Sequence, residues 1–287
     1  MTPERTPAAR ELLAFYVEAG VDAVVGEAPV DRFADVTPAP ARERGVGSPA
    51  APAARRQMPA APLARGETRP APRNGPAPAV SLSPDAAVMA ARDAARGAAS
   101  LNDLRAILDR FEGCALRSTA TQLVFCDGSP QGRVMFVGEA PGREEDLEGR
   151  AFVGRSGKLL DLMMTAIGLD RTGAYIANVI PWRPPGNRTP TPQETQICLP
   201  FIKRQIELAD PDILVTLGQP ATAALINVQG IMKNRGRWFP YHTGTREIRA
   251  IASLHPAYLL RQPLHKRLAW RDFLMIRKAL TGLASTS

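Results

Sequence analysis

The chain has 287 residues, 45% of them hydrophobic, and 36 Lys and Arg against 28 Asp and Glu, for a net charge of +8. This allows one substantial core plus further material. No apolar run approaches the roughly 18 residues of a membrane-spanning helix. The start of the chain carries Glu4, Arg5, Arg10 and Glu11 and no secretory apolar region, so a cytoplasmic chain is expected. Three widely spaced cysteines, Cys114, Cys126 and Cys198, argue against a disulfide framework. Charge is uneven: residues 1–98 hold 12 arginines and 11 acids, whereas residues 99–287 hold 24 basic and 17 acidic residues. The excess lies where the folded domain is expected, as on a surface that meets a polyanion.

Taken in order, residues 8–25 place Leu12, Leu13, Tyr16, Val17 and Val21 at helical spacing. An N-terminal helix over 1–36 follows, either docked on the domain or recruiting a protein partner. Residues 37–83 are rich in Pro, Ala, Arg and Gly and cannot bury enough surface to offset their ordering entropy, so a disordered linker is expected. The domain then runs over 84–287. Two helices are predicted at 85–98, capped by Ser83, and at 102–111, followed by a loop and a short edge strand ending at Asp127-Gly128.

Strand and helix then alternate. Strands are predicted at 133–138, 174–180, 212–218 and 248–254, and helices at 156–167, 192–209, 220–226 and 264–280. This alternation predicts a three-layer α/β/α fold around a four-stranded, mostly parallel sheet. Each strand ends in something chemically pointed. The first leads into Gly138-Glu139-Ala140-Pro141-Gly142, the acids Glu144, Glu145 and Asp146, and Phe152-Val153-Gly154. The second carries Asn178 and the loop 182–192, WRPPGNRTPTP. The third ends in Gly218-Gln219-Pro220 and the fourth in His255-Pro256-Ala257-Tyr258. The carboxyl edge of a parallel sheet is where α/β folds bind ligands. GRSGK at 154–158 is no phosphate loop, because Leu159 stands where Ser or Thr is required.

Together GEAPG, Glu145-Asp146, FVG, Asn178, RPPGNRTPTP at 183–192, CLPFI at 198–202 and HPAYLL at 255–260 resemble the family 4 uracil-DNA glycosylases. The resemblance covers about residues 104–280. It implies an enzyme that hydrolyses the N-glycosidic bond of uracil in DNA and leaves an abasic site. The residues fit that chemistry: a base to be excised must be extruded, stacked and read on its pairing edge. Phe152 supplies an aromatic face, and Asn178 a donor and acceptor for the uracil edge. The resemblance implies that Gly138 and Ala140 also contact the base. Bond cleavage builds cationic character on the sugar and negative charge on the base. Carboxylates, with Glu139 and Glu145 favoured, suit the former; His255 or backbone N–H groups suit the latter. Asp146 is expected to stabilise the loop. Ala140 stands where related enzymes carry a catalytic Asp, so the group that activates water is left open.

For DNA contact, Arg183, Arg188, Lys233, Arg235, Arg237, Arg261, Lys266 and Arg267 lie in or near loops past the strand ends. Tyr258, Leu259 and Leu260 are candidates for a wedge that fills the vacated stack. The family's [4Fe–4S] cluster takes four cysteines. Cys114 and Cys198 fall on two of those positions, while Phe111 and Trp182 stand at the other two, and Cys126 is off pattern. No cofactor is therefore expected, and an aromatic core is expected in its place. The partner is uracil-containing DNA and the chain is expected to be a monomer. The alternatives are a catalytically silent uracil- or DNA-binding protein, or a glycosylase with shifted base choice.

Overall fold

The computed structural model describes residues 83–284; the predicted N-terminal helix and linker lie outside the described residues. Strands β1 (Asp127–Gly128), β2 (Val134–Gly138), β3 (Ala174–Asn178), β4 (Ile213–Leu217), β5 (Trp238–His242) and β6 (Glu247–Ser253) form one sheet, ordered β1-β3-β2-β4-β6-β5. The inner four, β3, β2, β4 and β6, are parallel, and β1 and β5 pair antiparallel at the edges. The expected sheet of four strands is therefore a mixed sheet of six. The short edge at Asp127-Gly128 was legible, but β5 was not. Its exposed Pro240 and half-buried alternation are features of an edge strand, where a missing ladder donor is tolerated.

β2, β3 and β4 are buried on both faces, which is why VMFV, AYIA and ILV read as apolar runs. Met135, Val137, Tyr175, Ala177 and Leu214 face one core. It is closed by α1 (Pro84–Arg96), α2 (Leu101–Arg110), α6 (Pro192–Ala209) and α7 (Gln219–Ile226). Phe136, Ile176, Val215 and Ile251 face the other, closed by α5 (Arg155–Thr165) and α10 (Lys266–Ala284). Between these lie the short helices α3 (Leu116–Thr119), α4 (Arg143–Glu148), α8 (Ile231–Asn234) and α9 (Pro256–Arg261).

Local signals set the helix starts. The Ser83 hydroxyl accepts from Ala86 N–H at 3.3 Å, and Ala87, Ala91 and Ala95 give α1 a small-residue face that packs along α6. Thr191 and Glu194 form a reciprocal capping box on α6. The acidic stretch expected to be a loop is instead α4; the predicted final helix is α10, which starts at Lys266, and a short helix not predicted, α9, and a turn at Pro263–His265 precede it. Among the described residues no helix is long and apolar enough to cross a membrane.

Candidate active site

Parallel pairing aligns Gly138 with Asn178, and Leu217 with Ser253, so the loops after β2, β3, β4 and β6 meet at one edge. There they surround a cavity of about 620 Å³, in the range of sites for a molecule the size of a nucleoside. Glu139, Phe152, Asn178, Arg188, His255 and Tyr258 all line it, drawn from stretches far apart in the chain.

Gly138 ends β2 immediately before Glu139, which lines the cavity. A Cβ at that position would come 2.5 Å from Asn178 Oδ1 and 2.7 Å from Phe152 Cζ. The two side chains thus close over bare backbone, and only glycine permits it. Asn178 is 5% exposed, and its Oδ1 has no hydrogen-bond partner. Phe152 sits at φ +54°, the left-handed region that bulky residues avoid. Arg171 holds it there: its guanidinium donates to the carbonyls of Ala151 (3.1 Å) and Phe152 (2.5 Å). Arg171 is itself fixed by Asp127 at 2.6 Å and Asp161 at 2.9 Å. Sequence reasoning missed Arg171, because it lies in an ordinary polar turn before β3 and its role arises only from tertiary contact.

The carboxylates divide. Glu139 points into the cavity with Oε1 buried and unpartnered, and desolvation raises its pKa above the usual carboxylate value. Glu145, expected beside it in chemistry, has both oxygens engaged. Oε2 accepts from Gly142 N–H at 3.0 Å and Oε1 from Gly154 N–H at 2.9 Å. It pins the start of α4 to the start of α5 at the cavity rim. Asp146 accepts from the Thr121 amide and hydroxyl at 2.8 and 2.9 Å, tying α4 to the preceding loop. Ala140 lines the cavity without a functional side chain, and no second carboxylate replaces it there beyond Glu145.

His255 caps α9, its Nδ1 accepting from Ala257 N–H at 3.1 Å. That bond leaves the ring proton on Nε2. Burial, with Arg261 adding to it, lowers the imidazole pKa to about 4, so the ring is neutral at physiological pH. Behind it Gly218, at φ +86°, would place a Cβ 3.1 Å from the His255 Cβ.

The basic residues do not act as one group. Arg188 lines the cavity but is held by Glu194 at 2.6 Å. Arg183 donates to Asn187 Oδ1 at 2.7 Å and lies 3.8 Å from Asp146. Lys233, Arg237, Arg261, Lys266 and Arg267 are exposed. Arg235 is turned inward, paired with the fully buried Asp272 and with the Leu268 carbonyl, and does not line the cavity. Leu259 is also buried, 0% exposed, within the small core of Leu254 and Ala269.

At the position of the family's cluster, Cys198 Sγ lies 3.9 Å from Cys114 Sγ, the pair lowering the Cys114 thiol and raising that of the fully buried Cys198. Phe111 packs edge-on against Phe201, centroids 4.9 Å apart, and Trp182 is 2% exposed in the main core. Among the described residues no three His, Cys, Asp or Glu side chains form a group able to hold a metal. Two thiols and two aromatic rings do not fit a cluster that needs four thiolates.

The model of the uracil DNA glycosylase superfamily matches residues 125–274. The chain is 44% identical over 152 residues to the type-4 uracil-DNA glycosylase of Thermotoga maritima, covering 52% of this chain and 77% of the relative. It is 38% identical over 169 residues to that of Archaeoglobus fulgidus, covering 57% of this chain and 85% of the relative. Against that of Sulfurisphaera tokodaii it is 38% identical over 185 residues, 62% of this chain and 84% of the relative.

Proposed function

This chain belongs to the type-4 uracil-DNA glycosylases, hydrolases of the N-glycosidic bond of uracil in DNA that act in repair, and from that premise we propose how its residues divide the work. The observation that carries the reading is the pair of buried, unpartnered oxygens, Asn178 Oδ1 and Glu139 Oε1, in one cavity beside an aromatic face. Buried acceptors without partners are costly, and they are retained where a ligand satisfies them.

An extruded uracil lies on the Phe152 ring. Asn178 accepts from N3–H and donates to O4, and the Gly138 backbone closes the remaining side. As the bond stretches, negative charge gathers on the base. The neutral His255 donates from Nε2 to it without first having to lose or gain a proton. The opposite charge grows on the deoxyribose, where Glu139 is the carboxylate with an oxygen to spare. Glu145 serves this chemistry indirectly by holding the loop that carries Glu139 and Phe152. No lysine lines the cavity among the described residues, so no Schiff base forms and the product is an abasic site. Arg188 and the exposed cations of the rim meet phosphates.

We further propose that this chain works without an iron–sulfur cluster. The loop 183–191 is held instead by the Arg188–Glu194 pair, the Thr191 cap and the Trp182 packing beneath it. Release of free uracil from a uracil-containing oligonucleotide tests the function. A chain that binds such DNA and releases no base would be a silent binder.

A further inference from the structure

Cys114 and Cys198 stand 84 positions apart in the chain, yet the Cys198 thiol donates to the Cys114 sulfur at 3.9 Å. Cys114 lies just before α3 and Cys198 within α6. Their exposures are 2% and 0%, in the core that also holds Leu108, Leu116, Trp182 and Phe201. Among the described residues no third metal-ligating side chain joins them. Core cysteines ordinarily act as small apolar residues, but two sulfurs in contact have a covalent chemistry of their own. A disulfide bond is about 2.05 Å long, so closing this gap takes roughly 2 Å of movement, shared between side chains that already meet. Cys198 sits one helical turn beyond Glu194, which holds Arg188 and caps α6 together with Thr191. A bond there fastens the start of α6, and the loop 183–191 that leads into it, to the segment before α3.

We propose that Cys114 and Cys198 form a reversible disulfide, with hydrogen peroxide as the oxidant, and that the bond staples α6 in place of the family's cluster. The slightly exposed Cys114 thiol attacks one peroxide oxygen, the O–O bond breaks, and a sulfenic acid and one water result. The Cys198 thiol then attacks that sulfur, and the oxygen leaves as a second water. Both thiol hydrogens end in the waters, and the two sulfurs lose two electrons to the peroxide. Exchange with a dithiol restores the pair. Cys126 is the internal control: it is more open than either partner, and it stands beside Tyr175 with its thiol raised by burial. Oxidation that followed exposure alone would reach Cys126 first. The inference is independent of the glycosylase reading.

The test treats the reduced, folded full chain with a small excess of hydrogen peroxide, alkylates the remaining thiols and maps the peptides. The chain should become two hydrogens lighter before alkylation. The Cys114 and Cys198 peptides should be joined, and Cys126 should be alkylated. The melting temperature should rise by roughly 5–15 °C, because the bond closes a long loop of the unfolded chain, and a dithiol should reverse the rise. Cys114→Ser should lose both the joined peptide and the peroxide-induced rise. Oxidation at Cys126 with the pair still alkylated, or oxygen added to Cys114 with no joined peptide, overturns the site. A joined peptide that forms only after unfolding in urea overturns it too. A joined peptide in the folded chain with no change in melting temperature overturns the staple.

Discussion

The ring of Phe152 lies on the imidazole of His255, centroids 5.5 Å apart and planes 30° from parallel. The surface that would stack the base and the group that would take up its charge are therefore one packed unit. Arg171 fixes its first half from behind, and Gly218 leaves room for the second. A base resting on Phe152 is placed relative to His255 by the same contact.

His255→Ala should accordingly lower single-turnover excision by about 3–4 kcal/mol, roughly a hundred- to thousandfold, with DNA affinity nearly unchanged. Because the wild-type imidazole titrates near 4, the excision rate should show no histidine inflection around neutral pH. The stability consequence has a definite sign. The unfolded chain takes up the proton near 6.5, the folded one only near 4. Stability from this group is therefore complete above about pH 6.5 and lost as pH falls toward 4. Weakened binding with an unchanged rate on bound DNA would make His255 a docking residue.

Much of this site was legible because parallel strands buried on both faces read as continuous apolar runs, and the chemistry sits directly after each run. Gly138, Asn178 and His255 all occupy such positions. What was hidden depended on contacts between distant segments. The strain at Phe152 has no local signature beyond the crowding around it, and its support by Arg171 comes from another turn. Glu145 reads as one acid in a run, and only the fold shows both oxygens taken by amides. Arg235 reads as a rim cation and is turned inward against the buried Asp272, which no charge count reveals. Leu259 and Leu264 look alike in sequence, yet one closes a core and the other faces water.

Asn178→Asp removes the donor facing O4 and sets a carboxylate against the uracil carbonyl. Uracil excision should fall at least about 10- to 100-fold. Because a carboxylate accepts from the N4 amino group of cytosine, preference should shift toward cytosine relative to uracil. Measuring both bases on matched oligonucleotides checks this, and an unchanged uracil rate would remove Asn178 from the reading edge.

Purified protein should be colourless and hold no stoichiometric iron, and chelators should leave its activity intact. Trp182→Ala should cost roughly 3–5 kcal/mol of stability, as for any large buried aromatic, whether or not iron is present. A brown preparation with about four irons per chain would show that this donor set is supplemented in a way the fold does not suggest.

Arg261→Ala and Arg235→Ala should fail differently. The exposed Arg261 would lose a phosphate contact, weakening binding to any sequence and reducing the slope of log affinity against log salt by about 0.9. Arg235→Ala would leave the Asp272 carboxylate buried without its cation, a loss of roughly 3–5 kcal/mol in stability. Urea unfolding and binding titrations at several salt concentrations separate the two. Equal salt slopes in wild type and Arg261→Ala would remove Arg261 from the DNA surface.

Glu139 and Glu145 provide the sharpest contrast, since the same isosteric change should affect opposite properties. Glu139 carries a raised pKa because its carboxylate is desolvated without a partner. The folded chain holds that proton to higher pH than the unfolded chain, so this group destabilises folding as pH rises through its folded value. Glu139→Gln removes that penalty and should leave stability at neutral pH unchanged or slightly higher. It should also lower excision roughly a hundredfold by removing charge opposite the developing sugar cation. Glu145→Gln sets an amide NH₂ against the Gly142 or Gly154 N–H, leaving a buried donor unpaired at a cost of about 1–3 kcal/mol. Its excision rate should fall only as far as the loop loosens, and activity should recover in part at lower temperature. Thermal unfolding and single-turnover rates on both variants decide the matter. If Glu139→Gln loses stability with its rate intact while Glu145→Gln loses rate with its stability intact, the two roles are the reverse of those argued from the contacts.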